Sequence, residues 1–364
     1  MATLSAEERT QLQDAVTRLL ADRGAEADVR RTMETASGYD PTLWAQLGEM
    51  GVTGLIVDEA FGGAGAGPLE LEAVMEAAGA ALLCAPLLGS SVLSAALLQQ
   101  VYNPEAKTRL LPGIAAGTTI AAAALTGDAG SWTEDGVAVA ASADRLSGTA
   151  SYVIHGQNAD VLLVLAREAD GLALFEVDAK AAGVAISPLP TFDHTLRLAR
   201  IVFDKALGLR LAGDAWPAAR AALDLALVGL AGEQAGGSRR VLDFTVDYAK
   251  NRYQFGRAIG SFQAIKHMAA DLLLETESAV SAARNAAARL AEGGDDATAA
   301  VSLAAFACAD AFAKTTADAV QMHGGIAFTW AHPAHLYLRR ARADAQLFGT
   351  SDVHRERFLQ ALGA

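Results

Sequence analysis

The chain alternates between long stretches with apolar residues at helical spacing and a middle stretch of short apolar runs. Residues 5–115 show the helical pattern with short breaks. From Thr118 to Lys205 the runs shorten, become richer in Val and Ile, and are bounded by Gly, Asp and Pro, which is typical of β-strands. Strands are predicted at 120–125, 137–141, 150–154, 161–166, 172–177 and 201–203.

The last third of the chain returns to long helices, predicted at Ala218–Ala249, Phe262–Leu290, Thr298–His323 and from Arg342 to Leu362. Four such helices predict an antiparallel four-helix bundle. The fold class is therefore α+β and mostly α. The predicted parts are an N-terminal helical domain (1–117), a middle β-barrel-like domain (118–210) and a C-terminal four-helix bundle domain (211–364).

The composition narrows the class of protein. The 364 residues carry a formal net charge of −13 and are 52% hydrophobic but only 6% aromatic. This balance excludes a disordered chain and argues against a nucleic-acid partner, because nucleic-acid binders are basic. Two cysteines, Cys84 and Cys308, provide neither a disulfide framework nor a metal-ligand spacing. We interpret His323, His332 and His335 as polar contacts between helices, so no metal is expected.

Two stretches bear on location. The first eight residues include Glu7 and Glu8 and contain no apolar segment, so no secretion signal is predicted. Residues 77–98 lack charge over the length of a membrane helix, but Pro86 and Gly89 interrupt them. A pair of buried helices broken next to Pro86 is predicted instead, with no membrane span and a cytoplasmic location.

Two segments of the last third are candidate ligand contacts. Arg252 lies close to Phe255 and Gly256 between two apolar helices, where a guanidinium can face an anion while the backbone approaches it closely. The alternative is a solvated arginine in a helix–helix turn. Gln321 lies one turn before Gly324-Gly325, where a ligand or a neighbouring subunit can approach the backbone. The alternative there is an ordinary helix C-cap.

Taken together, these segments resemble the acyl-CoA dehydrogenase family over nearly the whole chain. The family's Arg-x-x-Phe-Gly pattern followed by Phe-Gln, its Gln-x-x-Gly-Gly turn and its Gly-Gly-x-Gly loop after an acidic pair all occur here. The order of helical, β and bundle domains also agrees. The matching residues are Arg252, Phe255, Gly256, Phe262, Gln263, Gln321, Gly324, Gly325, Asp58, Glu59, Gly62, Gly63 and Gly65.

The resemblance implies an FAD-dependent tetramer. It implies that Arg252 and Gln263 hold the FAD pyrophosphate and that Phe255 lines the adenosine part. It also implies that Gln321 and the Gly324-Gly325 pair meet the flavin of a neighbouring subunit. An always-charged guanidinium suits a diphosphate, and glycines suit a backbone crowded by another molecule.

The remaining flavin contacts match the family only in part. Thr126 and Ser131 lie in a segment that is one residue short, yet they fit contacts to the flavin ring and the thioester substrate. Thr350 matches a flavin-contacting threonine, whereas Asp352 stands where Gln is usual. Ile154 lacks the hydroxyl that usually bonds the flavin ring.

The reaction implied by the resemblance is α,β-desaturation of an acyl-CoA thioester. A carboxylate removes the α-proton while hydride leaves the β-carbon for flavin N5. The family keeps that Glu at one of two positions, which here hold Phe348 and Ala226. Glu233 lies seven residues after Ala226, on the same helix face, and is a weak candidate for the base. We favour the alternative, a structural acid paired to an arginine. Asp224 faces another side of the helix.

Several hypotheses remain open. The first is an active dehydrogenase of fatty acid or steroid side-chain β-oxidation, which uses Glu233 or a carboxylate that the motifs do not identify, with electron-transfer flavoprotein as electron acceptor. The second is a non-catalytic or half-site subunit of a heterotetramer, in which a sister subunit supplies the Glu. Further alternatives are a lyase or hydratase on this scaffold, and a relative without flavin, against which the intact flavin motifs argue. Arg197, Arg200 and Arg220 are candidates to meet the CoA part, and small residues at Ala226–Gly232 favour a bulky acyl group.

Overall fold

A computed structural model of the chain describes residues 4–363. These residues form two compact units. The first unit contains Arg31–Gly67 and Cys84–Ala226, and the second contains Ser5–Arg30, Pro68–Leu83 and the chain from Leu227 onward. The predicted division into three domains stays a prediction.

Capping residues in the sequence determine where several helices begin. The Ser5 side chain accepts from the backbone of Glu8, and Glu8 bonds back to Ser5, which makes a capping box. Asp40 accepts from Thr42 N at 2.8 Å, with Pro41 in the first turn. The helices are α1 (Ala6–Arg23), α2 (Glu26–Met33), α3 (Pro41–Glu49), α4 (Pro68–Ala80), α5 (Ala95–Gln100), α6 (Pro104–Ala115), α7 (Trp216–Asn251), α8 (Gln263–Glu292), α9 (Ala297–His323), α10 (Ala334–Asp344) and α11 (Ser351–Ala361).

The middle of the chain forms one sheet in the first unit. Its strands are β1 (Ala121–Ala124), β2 (Val139–Ser142), β3 (Arg145–Ile154), β4 (Val161–Glu168), β5 (Gly171–Asp178), β6 (Val184–Pro188), β7 (Leu198–Leu207) and β8 (Leu209–Ala212). The strand order is β6-β7-β3-β2-β4-β5-β8, and β1 pairs in parallel with β4. Because this order has two ends, the term barrel describes the sheet only loosely. Two further short strands, β9 (Tyr253–Gln254) and β10 (Arg257–Ala258), pair with each other.

All six predicted strand runs are strands, and two strands of this sheet were missed, as were the short β9 and β10. The six runs carry the buried core of the sheet, in which Leu162, Val164 and Phe175 have no exposed surface. The missed strands, β6 and β8, are the two edges of the sheet and are largely exposed. Edge strands need few apolar residues, so the hydrophobic pattern does not reveal them.

The uncharged stretch 77–98 contains the predicted break. α4 ends at Ala80, Leu82 adopts φ +50°, and helix resumes as a π-helix at Leu87–Ser94 that runs into α5. Within residues 4–363, one helical stretch, Ala297–Phe328, has the length and hydropathy to cross a membrane, and 56% of its most apolar window is buried. That stretch contains α9, which packs against α8, α10 and α11 as the core helix of the bundle.

The helical second unit confirms the predicted bundle but corrects its last helix. The sequence predicts one helix from Arg342 to Leu362, whereas the structure has α10 and α11 with a break between them. Phe348 and Gly349 adopt φ +62° and +121° in this break. Such angles cannot continue a right-handed helix, so the chain turns there.

Glycines allow α4 and α7 to cross at backbone contact in the second unit. A Cβ added at Gly79 would lie under 3.0 Å from the Glu233 carbonyl oxygen. Added at Gly232 or Gly236, it would lie equally close to carbonyl oxygens of α4. Larger residues at these three positions would force the helices apart. The high Gly and Ala content is therefore partly a packing requirement.

Glu72 on α4 is a buried carboxylate close to this crossing. The Oε1 atom of Glu72 has no hydrogen-bond partner among the described residues, and the residue is 4% exposed. Burial, together with the negative charge of Glu76, raises the pKa of Glu72 to about 7, although Arg284 and Arg9 act in the opposite sense. The folded state therefore holds a proton on Glu72 that the unfolded chain releases at lower pH.

We predict that Glu72→Gln stabilises the protein in a pH-dependent way. Because the folded pKa is raised, the ionised carboxylate destabilises the folded state above pH 7 and costs nothing well below pH 4.5. The gain in free energy of unfolding over wild type should rise from near zero at acid pH to about 3 kcal/mol above pH 7. Urea denaturation across this pH range measures it.

The matched control is Glu49→Gln, an exposed residue at the end of α3. It should leave the free energy of unfolding within about 0.5 kcal/mol of wild type at every pH. A gain for Glu72→Gln that does not vary with pH would contradict the account of Glu72.

Candidate functional site

One end of the helical unit carries the arginine segment. α7 ends one residue before Arg252, and the chain then turns through β9 and β10, where Phe255 and Gly256 adopt φ +54° and +78°. The backbone of Arg252 is anchored, since its N–H donates to Tyr248 O and its carbonyl accepts from Ile259 N, both at 2.8 Å. Its side chain is exposed, and no described carboxylate lies within ion-pair distance of it. The guanidinium is free to meet an external anion.

The residues that follow Arg252 are also open to a ligand. Phe255 is 91% exposed and packs edge-on against Phe262, with the ring centroids 6.2 Å apart. The Arg257 guanidinium lies 3.9 Å from the centroid of the Phe262 ring. Gln263 is the first residue of α8 and is exposed. This turn therefore presents an exposed aromatic ring beside the exposed side chains of Arg252 and Arg257.

The second predicted segment lies at the end of α9. Gln321 is exposed on the last turn, α9 stops at His323, and Gly324 adopts φ +65°. A Cβ built at Gly324 or Gly325 would have no heavy atom within 4 Å. The same holds for Gly256. These glycines therefore border open space.

An aromatic contact brings the two segments together. The Tyr248 ring stacks on the His323 ring with centroids 4.4 Å apart, and the Tyr248 hydroxyl donates to the His323 carbonyl at 3.4 Å. Met322 packs in an apolar cluster with Leu242 and Ala249 of α7. Arg252 follows Tyr248 by one turn, and Gln321 lies two residues before His323. The structure thus places both segments at the same end of the helical unit.

The three histidines of the sequence prediction lie next to this end. His323 Nδ1 is 2.8 Å from Ala319 O, and His332 Nδ1 accepts from Ala334 N at 3.2 Å. Burial lowers the pKa of His323, His332 and His335. Among the described residues, no group of three or more His, Cys, Asp or Glu could hold a metal ion.

Thr126 and Ser131 lie in the sheet unit and contact each other. The Thr126 hydroxyl is buried and donates to the Ser131 carbonyl at 2.6 Å. The Ser131 hydroxyl lies 2.9 Å from Thr133 Oγ1. These bonds fix the shape of the loop after β1. Ser131 itself is partly exposed in this loop.

Asp128, in the middle of that loop, is a residue that the sequence reasoning missed. The Arg200 guanidinium donates two hydrogen bonds, of 2.9 and 2.7 Å, to the Asp128 carboxylate, and the Ser151 hydroxyl also donates to it. Arg200 and Ser151 lower the pKa of Asp128 to about 2. Arg197 is likewise engaged, donating to the Met33 and Thr35 carbonyls. Two of the three arginines proposed for the CoA part are therefore committed to contacts inside the first unit, whereas Arg220 is exposed.

Two unusual residues lie at the end of β3, Ile154 as its last residue and His155 directly after it. Ile154 is 3% exposed and has no hydroxyl to offer. His155 adopts φ +51°, in the left-handed region. His is, with Asn and Asp, among the residues other than Gly that adopt this region more often than most.

Both usual positions of the base are apolar and buried. Ala226 has no exposed surface, and Phe348 is 4% exposed in the break between α10 and α11. Beneath this break lies His354, which would be 3.2 Å from a Cβ at Gly349. Burial, with Arg357, lowers the pKa of His354 to about 4, so it is neutral. Thr350 follows at the start of α11 and is exposed, and Asp352 pairs with Arg355 at 2.9 Å.

Glu233, the weak candidate for the base, is paired with an arginine. Arg340 of α10 donates to Glu233 Oε1, and the two side chains are 3% and 9% exposed. Arg340 also donates to the Leu83 carbonyl at 3.4 Å. This is the arrangement that the structural alternative predicts. A buried carboxylate neutralised in this way is not available to a substrate.

Comparison with known proteins gives a consistent family match. The family model for the acyl-CoA dehydrogenase C-terminal domain matches residues 213–363, and that for the N-terminal domain matches residues 6–118. The acyl-CoA dehydrogenase IpdE2 of Mycolicibacterium smegmatis is 36% identical over 344 residues, which cover 94% of this chain and 95% of that protein.

Solved structures agree over the full length. The ChsE4-ChsE5 complex from Mycobacterium tuberculosis aligns with a TM-score of 0.91 and 29% identity, covering 100% of this chain and 99% of that chain. A variant of the Tcur3481-Tcur3483 steroid ACAD aligns with a TM-score of 0.88 and 29% identity, covering 98% of each chain.

We predict that the Glu233–Arg340 pair is structural. Glu233→Leu leaves the buried Arg340 charge without its carboxylate and should lower the free energy of unfolding by about 3–5 kcal/mol. The double variant Glu233→Leu/Arg340→Met should recover most of that loss, because it removes both charges. Chemical denaturation of the two variants and wild type measures the difference.

The control is Glu277→Gln, which breaks the exposed ion pair with Arg239 and should cost at most about 1 kcal/mol. If Glu233→Leu costs no more than this control, the buried pair does not stabilise the fold.

Proposed function

The chain belongs to the acyl-CoA dehydrogenase family, and we propose that it binds FAD and takes part in the α,β-desaturation of an acyl-CoA thioester. The observation that carries the proposal is the exposed, unpaired Arg252 at the same end of the helical unit as Gln321.

The residues at this end fit the cofactor. The proposal gives the pyrophosphate to Arg252 and Gln263, since a guanidinium fork and an amide donate to phosphate oxygens. The exposed Phe255 ring would cover the adenosine part. The open space beside Gly324-Gly325 would admit the flavin of a neighbouring subunit. Gln321 would contact the same flavin, as predicted from the sequence. Thr126, Ser131 and Thr350 are proposed as further contacts to the flavin.

The chemistry then divides between cofactor and protein. When bound, FAD supplies the hydride acceptor for the β-carbon. The protein must orient the thioester and provide a base for the α-proton within hydrogen-bond reach. Phe348 and Ala226 cannot accept a proton, and Glu233 is held by Arg340. The proposal therefore assigns the base to a carboxylate from outside this chain.

A second, finer candidate function follows from that need. We propose that the chain is a half-site subunit of a heterotetramer in which a sister subunit supplies the Glu. The Glu233–Arg340 pair favours this candidate over a self-sufficient homo-oligomer. The relation to the ChsE4-ChsE5 complex, named for two different chains, is consistent with it.

The remaining proposals concern substrate, partner and location. A bulky or steroid side-chain acyl-CoA is proposed, supported by the small residues at Ala226–Gly232 and by the relation to a protein described as a steroid ACAD. An electron-transfer flavoprotein is proposed as the electron acceptor and the cytoplasm as the location, both from the family.

We predict that Arg252→Ala weakens FAD binding by about ten- to a hundredfold, since it removes charge-assisted hydrogen bonds to phosphate. FAD occupancy is measured as the ratio of visible flavin absorbance to protein absorbance, and affinity by titrating FAD into the apoprotein. Arg239→Ala, on the same helix but paired with Glu277, is the control and should bind FAD like wild type. Unchanged occupancy in Arg252→Ala would overturn the pyrophosphate assignment.

A further inference from the structure

The second unit contains a cavity away from the residues assigned to the flavin. It has a volume of about 460 Å³ and lies between the end of α1, the start of α2, the end of α4, the middle of α7 and the start of α10. Cavities of roughly 300–1,000 Å³ are the size at which proteins enclose small molecules.

The walls of the cavity are mostly apolar. Leu20 and Val29 contribute from α1 and α2, Ala77 from α4, Phe244 from α7 and Leu336 from α10. Four of these five side chains are buried, and Phe244 is half-buried. An alkyl chain placed here would leave water for an apolar surface.

One charge at the cavity lacks a counter-ion. Glu26 lines the cavity, but Arg30 neutralises it with an N···O distance of 2.6 Å. Arg240 also lines the cavity and is exposed, and its positive charge opposes the burial that raises the pKa of the Tyr337 hydroxyl to about 12. That hydroxyl in turn donates to the Ala80 carbonyl at 2.7 Å. Within residues 4–363 no carboxylate lies within ion-pair distance of Arg240.

We propose that this cavity binds a small amphipathic carboxylate, a medium-chain fatty acid, with its chain on the apolar walls and its carboxylate on Arg240. Because Arg30 neutralises Glu26, the remaining charge at the cavity is the positive charge of Arg240. An anion is therefore favoured over a cation or a neutral alcohol. This proposal does not rest on the proposed function.

The site is also physically connected to the flavin-facing end of the unit. Phe244 lines the cavity, and its ring centroid lies 5.6 Å from His323 and 5.7 Å from His332. His323 directly precedes Gly324-Gly325. A ligand that moves Phe244 therefore moves a neighbour of the residues proposed to meet flavin.

The test is calorimetric titration of the purified full chain with decanoate, hexanoate and decanol. Decanoate should bind, decanol should bind about tenfold or more weakly, because it lacks the charge for Arg240, and each methylene removed should weaken binding about threefold to fourfold. Equal binding of decanoate and decanol would overturn the role of Arg240.

Two variants locate the binding. Ala21→Trp fills the cavity from an exposed position on α1 and should abolish decanoate binding, whereas Ala27→Trp, exposed on α2 but outside the cavity, should not. Arg240→Gln should lower affinity about tenfold, while Arg239→Gln should leave it unchanged. Decanoate binding that survives Ala21→Trp would show that the ligand occupies another site, such as the acyl-CoA site, and would refute the proposal.

Discussion

The backbone contact between α4 and α7 is the constraint on which the helical unit depends. Gly79, Gly232 and Gly236 permit it, and no side chain larger than hydrogen fits at these positions. Helices this close leave no room for bulky residues between them, so the polar groups nearby must be satisfied within the unit. Glu233 does so by pairing with Arg340, whereas burial keeps a proton on Glu72 up to about pH 7. The same crossing fixes the direction of α7 and thereby places Arg252 at the end of the unit.

The Glu233–Arg340 pair links this packing to chemistry. Two buried charges in contact cost desolvation energy that their attraction offsets only when the geometry is good. Arg340 meets this condition because it also donates to the carbonyl of Leu83, three residues after the end of α4. Glu233 is thereby part of the framework of the unit. With Phe348 and Ala226 at the two usual base positions, this pairing supports the proposal that the base comes from another chain.

Sequence reasoning recovered much of the fold because buried elements carry strong patterns. The long helices and the six core strands follow from apolar spacing, and the break next to Pro86 follows from residues that interrupt a helix. Prediction from the sequence failed where elements are exposed or where the structure depends on the backbone angles of one or two residues. Edge strands β6 and β8 are exposed, and the break between α10 and α11 depends on the left-handed angles of Phe348 and Gly349. Within the candidate site, Arg252 and Gln321 are identifiable by motif, whereas the partners Asp128–Arg200 and Glu233–Arg340 lie 72 and 107 residues apart, and no local pattern reveals them.

The most direct test of this account is anaerobic mixing of the FAD-loaded chain with a panel of acyl-CoA thioesters, from short straight chains to bulky ring-bearing ones. Loss of the visible flavin absorbance reports reduction. We expect the wild-type chain alone to stay oxidised, and Ala226→Glu, which restores a carboxylate at one of the two usual positions, to allow reduction. Reduction of the wild-type chain alone, abolished by Glu233→Gln, would contradict it and make Glu233 the base.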